Sequence, residues 1–422
     1  MKRIVICCDG TGNDIDEKNE NISNVLKLFR CLRKTDKTMP RQLVYYDPGV
    51  GTLSRPNPWR RLWQELFAIF GLMTAYGLDE HLLAAYEFLV DSYEDGDEIF
   101  LFGFSRGAHT VRILAGLIHD IGLLRPEQNN LAAIGLDRYK QASVSTELDR
   151  PFRSRLIEDD TIDDEIWTVT REAFRARHFG SVVSSRWPTI RMIGVWDTVA
   201  SVIVPRRDRL YFPMLEGHLR FTLQNPSVKT FRHAISIDER RTMFRLKKWI
   251  EPQQFVPNRF SDLNSEPQDI KQVWFAGAHA DVGGGYREVE SSLAKYPLIW
   301  MIEEAVACGL AFNRQTVGML AWGVERKHSM YAYVAPDVLG ELHDSVSGVW
   351  RLLEYFPKTE PHKEWPKRQT RLGFYIPAAE PRFIPENAFI HESVLMRMKM
   401  RSDYRPINLP SSYRTVAMTA EL

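Results

Sequence analysis

The sequence predicts an α/β fold: a mostly parallel sheet flanked by helices. Three observations carry that expectation. Short apolar runs at 3–8, 42–46, 98–102, 190–196 and 272–275 have the length and residue types of buried strands. Between them apolar residues recur at helical spacing, so strands and helices alternate along the chain. Polar and glycine-rich stretches directly follow four of the runs, at the strand ends where open parallel sheets gather their functional groups.

The first run, Arg3-Ile4-Val5-Ile6-Cys7-Cys8, gives way to Asp9-Gly10-Thr11-Gly12-Asn13, a turn-forming stretch. Residues 22–32 read as a helix and 42–46 as the second strand. One or two helices fall within 59–93. The stretch from Trp59 through Trp63 to Met73 sets aromatic and aliphatic residues beside Arg60 and Arg61. That pattern suits a helix packed on the sheet or one lying in a lipid interface, a peripheral membrane contact. The run at 98–102 leads into Gly103-Phe104-Ser105-Arg106-Gly107. A helix over 108–118 follows, with Ala108, Val111, Leu114, Ala115 and Ile118 on one face.

Residues 137–188 are densely charged, with an acidic run at 158–165 and a helical pattern at 165–178. They read as an inserted, largely exposed helical segment. The strand at 190–196 ends on Asp197-Thr198. Residues 251–270, rich in Pro, Asn, Ser and Asp, read as a long loop before the strand at 272–275. From about 318 proline and aromatic residues become frequent. The chain thus divides into an α/β unit over 1–317 and a less regular C-terminal region over 318–422 packed on it.

Composition narrows the function. With 422 residues, 44% of them hydrophobic, the chain can bury a large core. A net charge of +1 argues against nucleic acid as a partner. The four cysteines, Cys7, Cys8, Cys31 and Cys308, have no metal-ligand spacing and suit buried thiols in a reducing compartment. The N-terminal apolar run is too short for a signal peptide, and no stretch reaches the roughly 18 apolar residues of a membrane span. A cytoplasmic location in the producing cell is expected, with any export by a signal-independent route. Nothing in the pattern calls for a cofactor or a metal.

Gly103-Phe104-Ser105-Arg106-Gly107 is a G-x-S-x-G stretch between a strand and a helix, the context of a nucleophile elbow. The turn would present the Ser105 hydroxyl at the tip of the sheet and the Arg106 N–H at a helix N-terminus, facing a developing oxyanion. A serine hydroxyl needs a base, and the base needs a carboxylate to fix its tautomer. In α/β-hydrolases the chain order is serine, acid, histidine, and Asp197 and His279 keep it. His279 lies in a loop with glycines at 277 and 283–285, free to turn toward a cleft. His233 is the rival base, among residues that look like core packing; His109, His343 and His391 are more remote candidates. Asp281 is an alternative acid or a loop brace. Backbone N–H groups of Gly10 or Thr11 would supply the second oxyanion donor, with Asp9 supporting their loop.

Five motifs in order resemble one known family. They are Asp9-Gly10-Thr11, the stretch 96–108 around Ser105, Gly-Val-Trp-Asp-Thr-Val at 194–199, Arg-His-Ala-Ile-Ser-Ile-Asp-Glu-Arg at 232–240, and the stretch 273–286 around His279. Ile-His-Glu-Ser-Val-Leu-Met-Arg at 390–397 resembles a family C-terminal motif, so the resemblance runs from residue 1 to roughly 400. The family is widespread in bacteria and fungi and was long catalogued as a domain of unknown function. It includes the catalytic domain of a group of type VI secretion lipase effectors, which are phospholipases. The resemblance implies an α/β-hydrolase fold, a triad of Ser105, Asp197 and His279, and hydrolysis of a lipid or other acyl ester without a cofactor. It also implies a secretion-system or immunity partner. Two other readings compete: a metal-dependent phosphoester hydrolase using Asp9, His279 and Asp281, and a hydrolase-like scaffold used only for binding.

Overall fold

The computed structural model describes residues 1–10, 21–35, 37–49, 77–148, 171–199, 219–261, 263–327, 331–346, 349–359 and 363–419. Eight strands form the main sheet. They are β1 (Arg3–Cys8), β2 (Gln42–Asp47), β3 (Glu98–Phe104), β4 (Ile190–Trp196), β5 (Val228–Ser236), β6 (Asp269–Phe275), β7 (Ala388–His391) and β8 (Tyr413–Val416). Their order across the sheet is 8-7-6-5-4-3-1-2, and every neighbouring pair is parallel. The order reverses between β1 and β3, the place where open α/β sheets leave a crevice at the strands' carboxyl ends.

Alternation along each strand divides the core in two. Ile4, Ile6, Ile99, Leu101, Ile193 and Val195 face helices α2 (Leu78–Ser92), α3 (Arg106–Ile121), α4 (Ala132–Leu148) and α5 (Arg171–Val183). Val5, Cys7, Phe100, Phe102, Met192 and Trp196 face α1 (Asn24–Cys31) and two helices further along the chain, α7 (Lys295–Ala307) and α8 (Arg314–Trp322). Between β6 and α7 lies the short helix α6 (His279–Gly283). All four cysteines are buried and unpaired.

The expected strands and helices are present where the chain is described, with four differences. β5 was not expected as a strand, because Lys229, Arg232 and His233 interrupt its apolar pattern. The structure pairs Arg232 with Glu304 at 2.6 Å and Asp269 at 2.6 Å, which makes a charged residue tolerable there. Second, the stretch read as a loop over 251–270 holds a short antiparallel pair, Gln254–Phe255 with Glu266–Pro267, and the start of β6. Third, the inserted charged segment is less exposed than expected. Tyr139 and Ala142 from α4, and Ala173 and Ala176 from α5, enter the core, while its acidic run at 158–165 lies outside the described residues. Fourth, the C-terminal region, though mostly irregular, adds β7 and β8 to the sheet. In 59–93, α2 is described and the Trp59 to Met73 stretch lies outside the described residues.

Candidate active site

Four strands deliver the site at one level of the sheet. Phe104 on β3 pairs with Trp196 on β4, Trp196 with Ala234 on β5, and Ser236 on β5 with Phe275 on β6. Ser105, Asp197 and His279 follow within one to four residues of those strand ends.

Ser105 has φ 56° and ψ −118°, a positive-φ conformation that a non-glycine residue holds only when its surroundings force it. The flanking glycines are the reason the turn closes. A Cβ on Gly103 would lie 2.5 Å from the Gly107 carbonyl oxygen. One on Gly107 would lie 2.1 Å from the Cys8 oxygen and 2.5 Å from that of Asp9. The glycines let α3 start directly against the end of β1. The Ser105 N–H donates to the Trp196 carbonyl at 3.1 Å, tying the elbow to β4. Arg106 is the first residue of the 16-residue helix α3, so its N–H lies at the positive end of a helix dipole.

Asp197 also has a positive φ, 38°. Its fully buried carboxylate is bonded on all sides. His279 Nδ1 lies 2.5 Å from Oδ2; Ser236 N and Oγ donate to Oδ1, each at 3.0 Å. Arg382 spans both oxygens, Nη1 to Oδ1 at 2.5 Å and Nη2 to Oδ2 at 3.1 Å. Burial opposes the charge on Asp197. The Arg382 charge and the His279 hydrogen bond override it and hold the carboxyl well below the usual carboxylate range.

The His279 ring packs on Phe104, the residue before Ser105, with centroids 4.7 Å apart, and on Phe244 at 4.9 Å. No hydrogen bond joins Ser105 Oγ to the ring among the described contacts. The His279 N–H donates to Glu239 Oε2 at 3.2 Å. Glu239 is buried, and burial alone would raise its carboxyl. Arg241, 2.8 Å away, overrides that and takes it down to about 2.

The other candidates take supporting places. The Asp9 carboxylate accepts from Ser23 Oγ, from Tyr46 OH at 2.8 Å and from the Gly10 N–H at 2.7 Å, so it braces the loop after β1. That last bond is a correction: the Gly10 N–H is committed to Asp9 rather than presented to a ligand. Thr11 lies outside the described residues. Asp281 does not orient His279. Its oxygens accept the Ala278 N–H at 2.9 Å and the His343 N–H at 3.2 Å, and its Oδ1 lies 2.7 Å from His343 Nδ1. Asp9, His279 and Asp281 therefore each serve a different partner and are not gathered into one donor set for a metal. Among the described residues no cluster of three such groups occurs. His233 is fully buried on β5, where its Nε2 accepts the Thr198 N–H at 3.1 Å; burial holds its imidazole far below its ordinary range. His391 starts the helix α10 (Glu392–Met400), accepting the Ser393 N–H at 3.3 Å.

Arg382 carries no signal in the sequence, while Ser236 and Glu239 fall in the 232–240 motif without any local pattern that gives them a role. Arg382 stands 185 residues from Asp197, in a stretch read as irregular. Only the fold brings them to the site.

Residues 2–304 match the family described as the catalytic domain of Tle1-like phospholipase effectors of type VI secretion. The match stops short of the 390–397 stretch that the resemblance reached. A curated protein of Saccharomyces cerevisiae, "Uncharacterized protein YEL023C", is 30% identical over 264 residues, 62% of this chain and 34% of that protein. A solved uncharacterized protein from Pseudomonas aeruginosa is similar with a TM-score of 0.35 and 17% identity, over 74% of this chain and 46% of that one. The structure of the Tle1 effector bound to the VgrG spike gives a TM-score of 0.32 and 18% identity, over 69% and 52%. The chain thus spans about a third of the length of the curated relative and about half of each solved chain.

Proposed function

The chain belongs to the family of Tle1-like phospholipase effector catalytic domains, and from that premise we propose that it is a serine ester hydrolase acting on phospholipid or a related acyl ester. The observation that carries this reading is the 2.5 Å bond from His279 to a buried, fully bonded Asp197, beside a serine held at φ 56° on the neighbouring strand end.

In the proposed reaction Ser105 Oγ attacks the ester carbonyl while His279 Nε2 takes its proton. The bond to Asp197 keeps the proton on Nδ1, leaves Nε2 as the acceptor, and stabilises the imidazolium that forms. The Arg106 N–H faces the tetrahedral oxyanion. With the Gly10 N–H held by Asp9, Thr11 is the candidate for the second donor. The protonated His279 then returns its proton to the leaving alcohol, and water releases the acyl group by the same route. The position of His279 at the end of β6 supports it over His233, whose Nε2 already accepts a backbone N–H. The family description also carries the proposal of a type VI secretion partner.

The test is labelling with a fluorophosphonate, beside turnover of p-nitrophenyl esters and of phospholipid vesicles. Wild-type protein labels and turns over both; Ser105→Ala neither labels nor turns over; His279→Ala loses turnover. Labelling that survives in Ser105→Ala refutes the assignment.

A further inference from the structure

We infer that the described residues of the ribbon, 350–359 and 363–376, form a docking surface for anionic phospholipid that brings the candidate site to a membrane. The inference rests on the ester-hydrolase reading for its purpose but on separate residues for its evidence.

The ribbon is rooted to the site by polar contacts. It starts with the short helix α9 (Val349–Leu353) and includes an antiparallel pair, Lys358–Thr359 with Phe374–Tyr375. The buried Glu354 accepts the Thr242 N–H at 2.8 Å and its hydroxyl at 2.9 Å, and the Ala378 N–H donates to the Glu354 carbonyl at 2.8 Å. Tyr375, also buried, bonds Arg245 at 2.6 Å and Glu380 at 3.0 Å. Trp350 packs on Phe244 with centroids 5.4 Å apart, and Phe244 packs on His279 at 4.9 Å. The path from ribbon to catalytic histidine is therefore two ring contacts.

The outward side is apolar, the reverse of an ordinary surface ribbon. Leu352, Tyr355, Phe356, Leu372, Phe374 and Ile376 are 48–90% exposed. Phe374 and Ile376 flank the buried Tyr375, which turns inward to the polar root while they face outward, and Leu372 is exposed beside them. A concentration of exposed apolar side chains on one short segment marks an interaction surface.

Charge decides the occupant. Between 349 and 376 six Lys or Arg stand against three Glu, in a chain whose whole net charge is only +1. Arg351, Lys367 and Arg371 are exposed, whereas Glu354 is buried. A symmetric pairing with a second copy would set this basic ribbon against itself. Aromatic and leucine side chains flanked by arginine and lysine fit a bilayer whose headgroups are anionic: the rings enter the interface and the cations meet phosphates.

The experiment is sedimentation of the purified protein with vesicles of phosphatidylglycerol mixed with phosphatidylcholine, and of phosphatidylcholine alone. It compares wild type with the double variant Leu372→Asp, Phe374→Asp. Hydrolysis of a soluble p-nitrophenyl ester and the solution mass are followed on the same samples. The wild type is expected to bind the anionic vesicles more tightly than the neutral ones. The double variant should lose about a hundredfold in partition, roughly tenfold per side chain withdrawn, and keep its soluble-ester turnover. If soluble-ester turnover is absent throughout but vesicle binding still depends on these two residues, docking stands and the ester-hydrolase reading fails. Unchanged binding by the double variant overturns the inference, as does a wild-type dimer that the double change splits.

Discussion

Arg382→Met removes the cation from a buried carboxylate that five hydrogen bonds surround. The wild-type guanidinium donates to Asp197 Oδ1 at 2.5 Å and Oδ2 at 3.1 Å, to Ser236 Oγ at 2.7 Å and to the Phe244 carbonyl at 2.7 Å. Methionine fills much of that volume and donates nothing. Removing one partner of a buried ion pair costs about 3–5 kcal/mol, because the other charge stays buried, and this pair lies entirely out of solvent. The pH dependence identifies the cause. In the wild type the Asp197 carboxyl is depressed below its unfolded value. Its contribution to stability is therefore fully present above an unfolded pKa of about 4 and is lost as pH falls toward the folded one. Without Arg382, burial works on Asp197 with less opposition. The stability gap between wild type and variant is thus widest near neutral pH and narrows as pH falls through the variant's folded Asp197 pKa, where the variant's carboxylate takes a proton and the wild type's does not. Urea unfolding of both proteins from about pH 7 down to about pH 3.5 measures that gap. Turnover of a soluble ester should fall on the order of a hundredfold, since Asp197 no longer holds His279 in register. A gap under about 1 kcal/mol near neutral pH, or one that stays constant with pH, would refute the reasoning.

Gly107→Ala places a methyl 2.1 Å from the Cys8 carbonyl. Backbone must shift to admit it, so a loss of about 3 kcal/mol or more is expected, together with loss of fluorophosphonate labelling; a folded variant that labels normally contradicts the elbow geometry. Asp9→Ala leaves the Ser23 hydroxyl, the Tyr46 hydroxyl and the Gly10 N–H without their acceptor. It should lower the urea midpoint by the equivalent of about 2–4 kcal/mol, and an unchanged midpoint argues against bracing. The Asp281 hydrogen bond raises the His343 imidazole above its ordinary value. Its stabilisation is therefore complete below an unfolded pKa of about 6.5 and disappears as pH rises through the folded value. His343→Asn should accordingly cost more stability near about pH 6 than near about pH 8.5; equal costs at both would remove the ion pair from the account.

Much of the fold and of the candidate site was legible because it depends on local chemistry. The apolar runs of β1, β3 and β4 could be seen since both faces of a central parallel strand are buried. Ser105, Asp197 and His279 stood out because each ends such a run beside turn residues. The strand β5 was hidden by Arg232 and His233, whose charge and polarity are absorbed by partners far along the chain. Two further strands, β7 and β8, have four residues each, too short for periodicity to separate them from loop.

The sequence by itself determined the alternation of strands and helices, the glycine-flanked turn at Ser105 and the candidate order of Ser105, Asp197 and His279, because these follow from residue type and spacing over short distances. Tertiary structure alone decided which donors surround Asp197, that Asp281 serves His343 and not His279, that Gly10 spends its N–H on Asp9, and that the C-terminal region supplies Arg382 to the site. Those outcomes turn on contacts between residues as far as 185 positions apart. A buried carboxylate takes whatever donors the packing brings within reach, and no local pattern records which ones arrive.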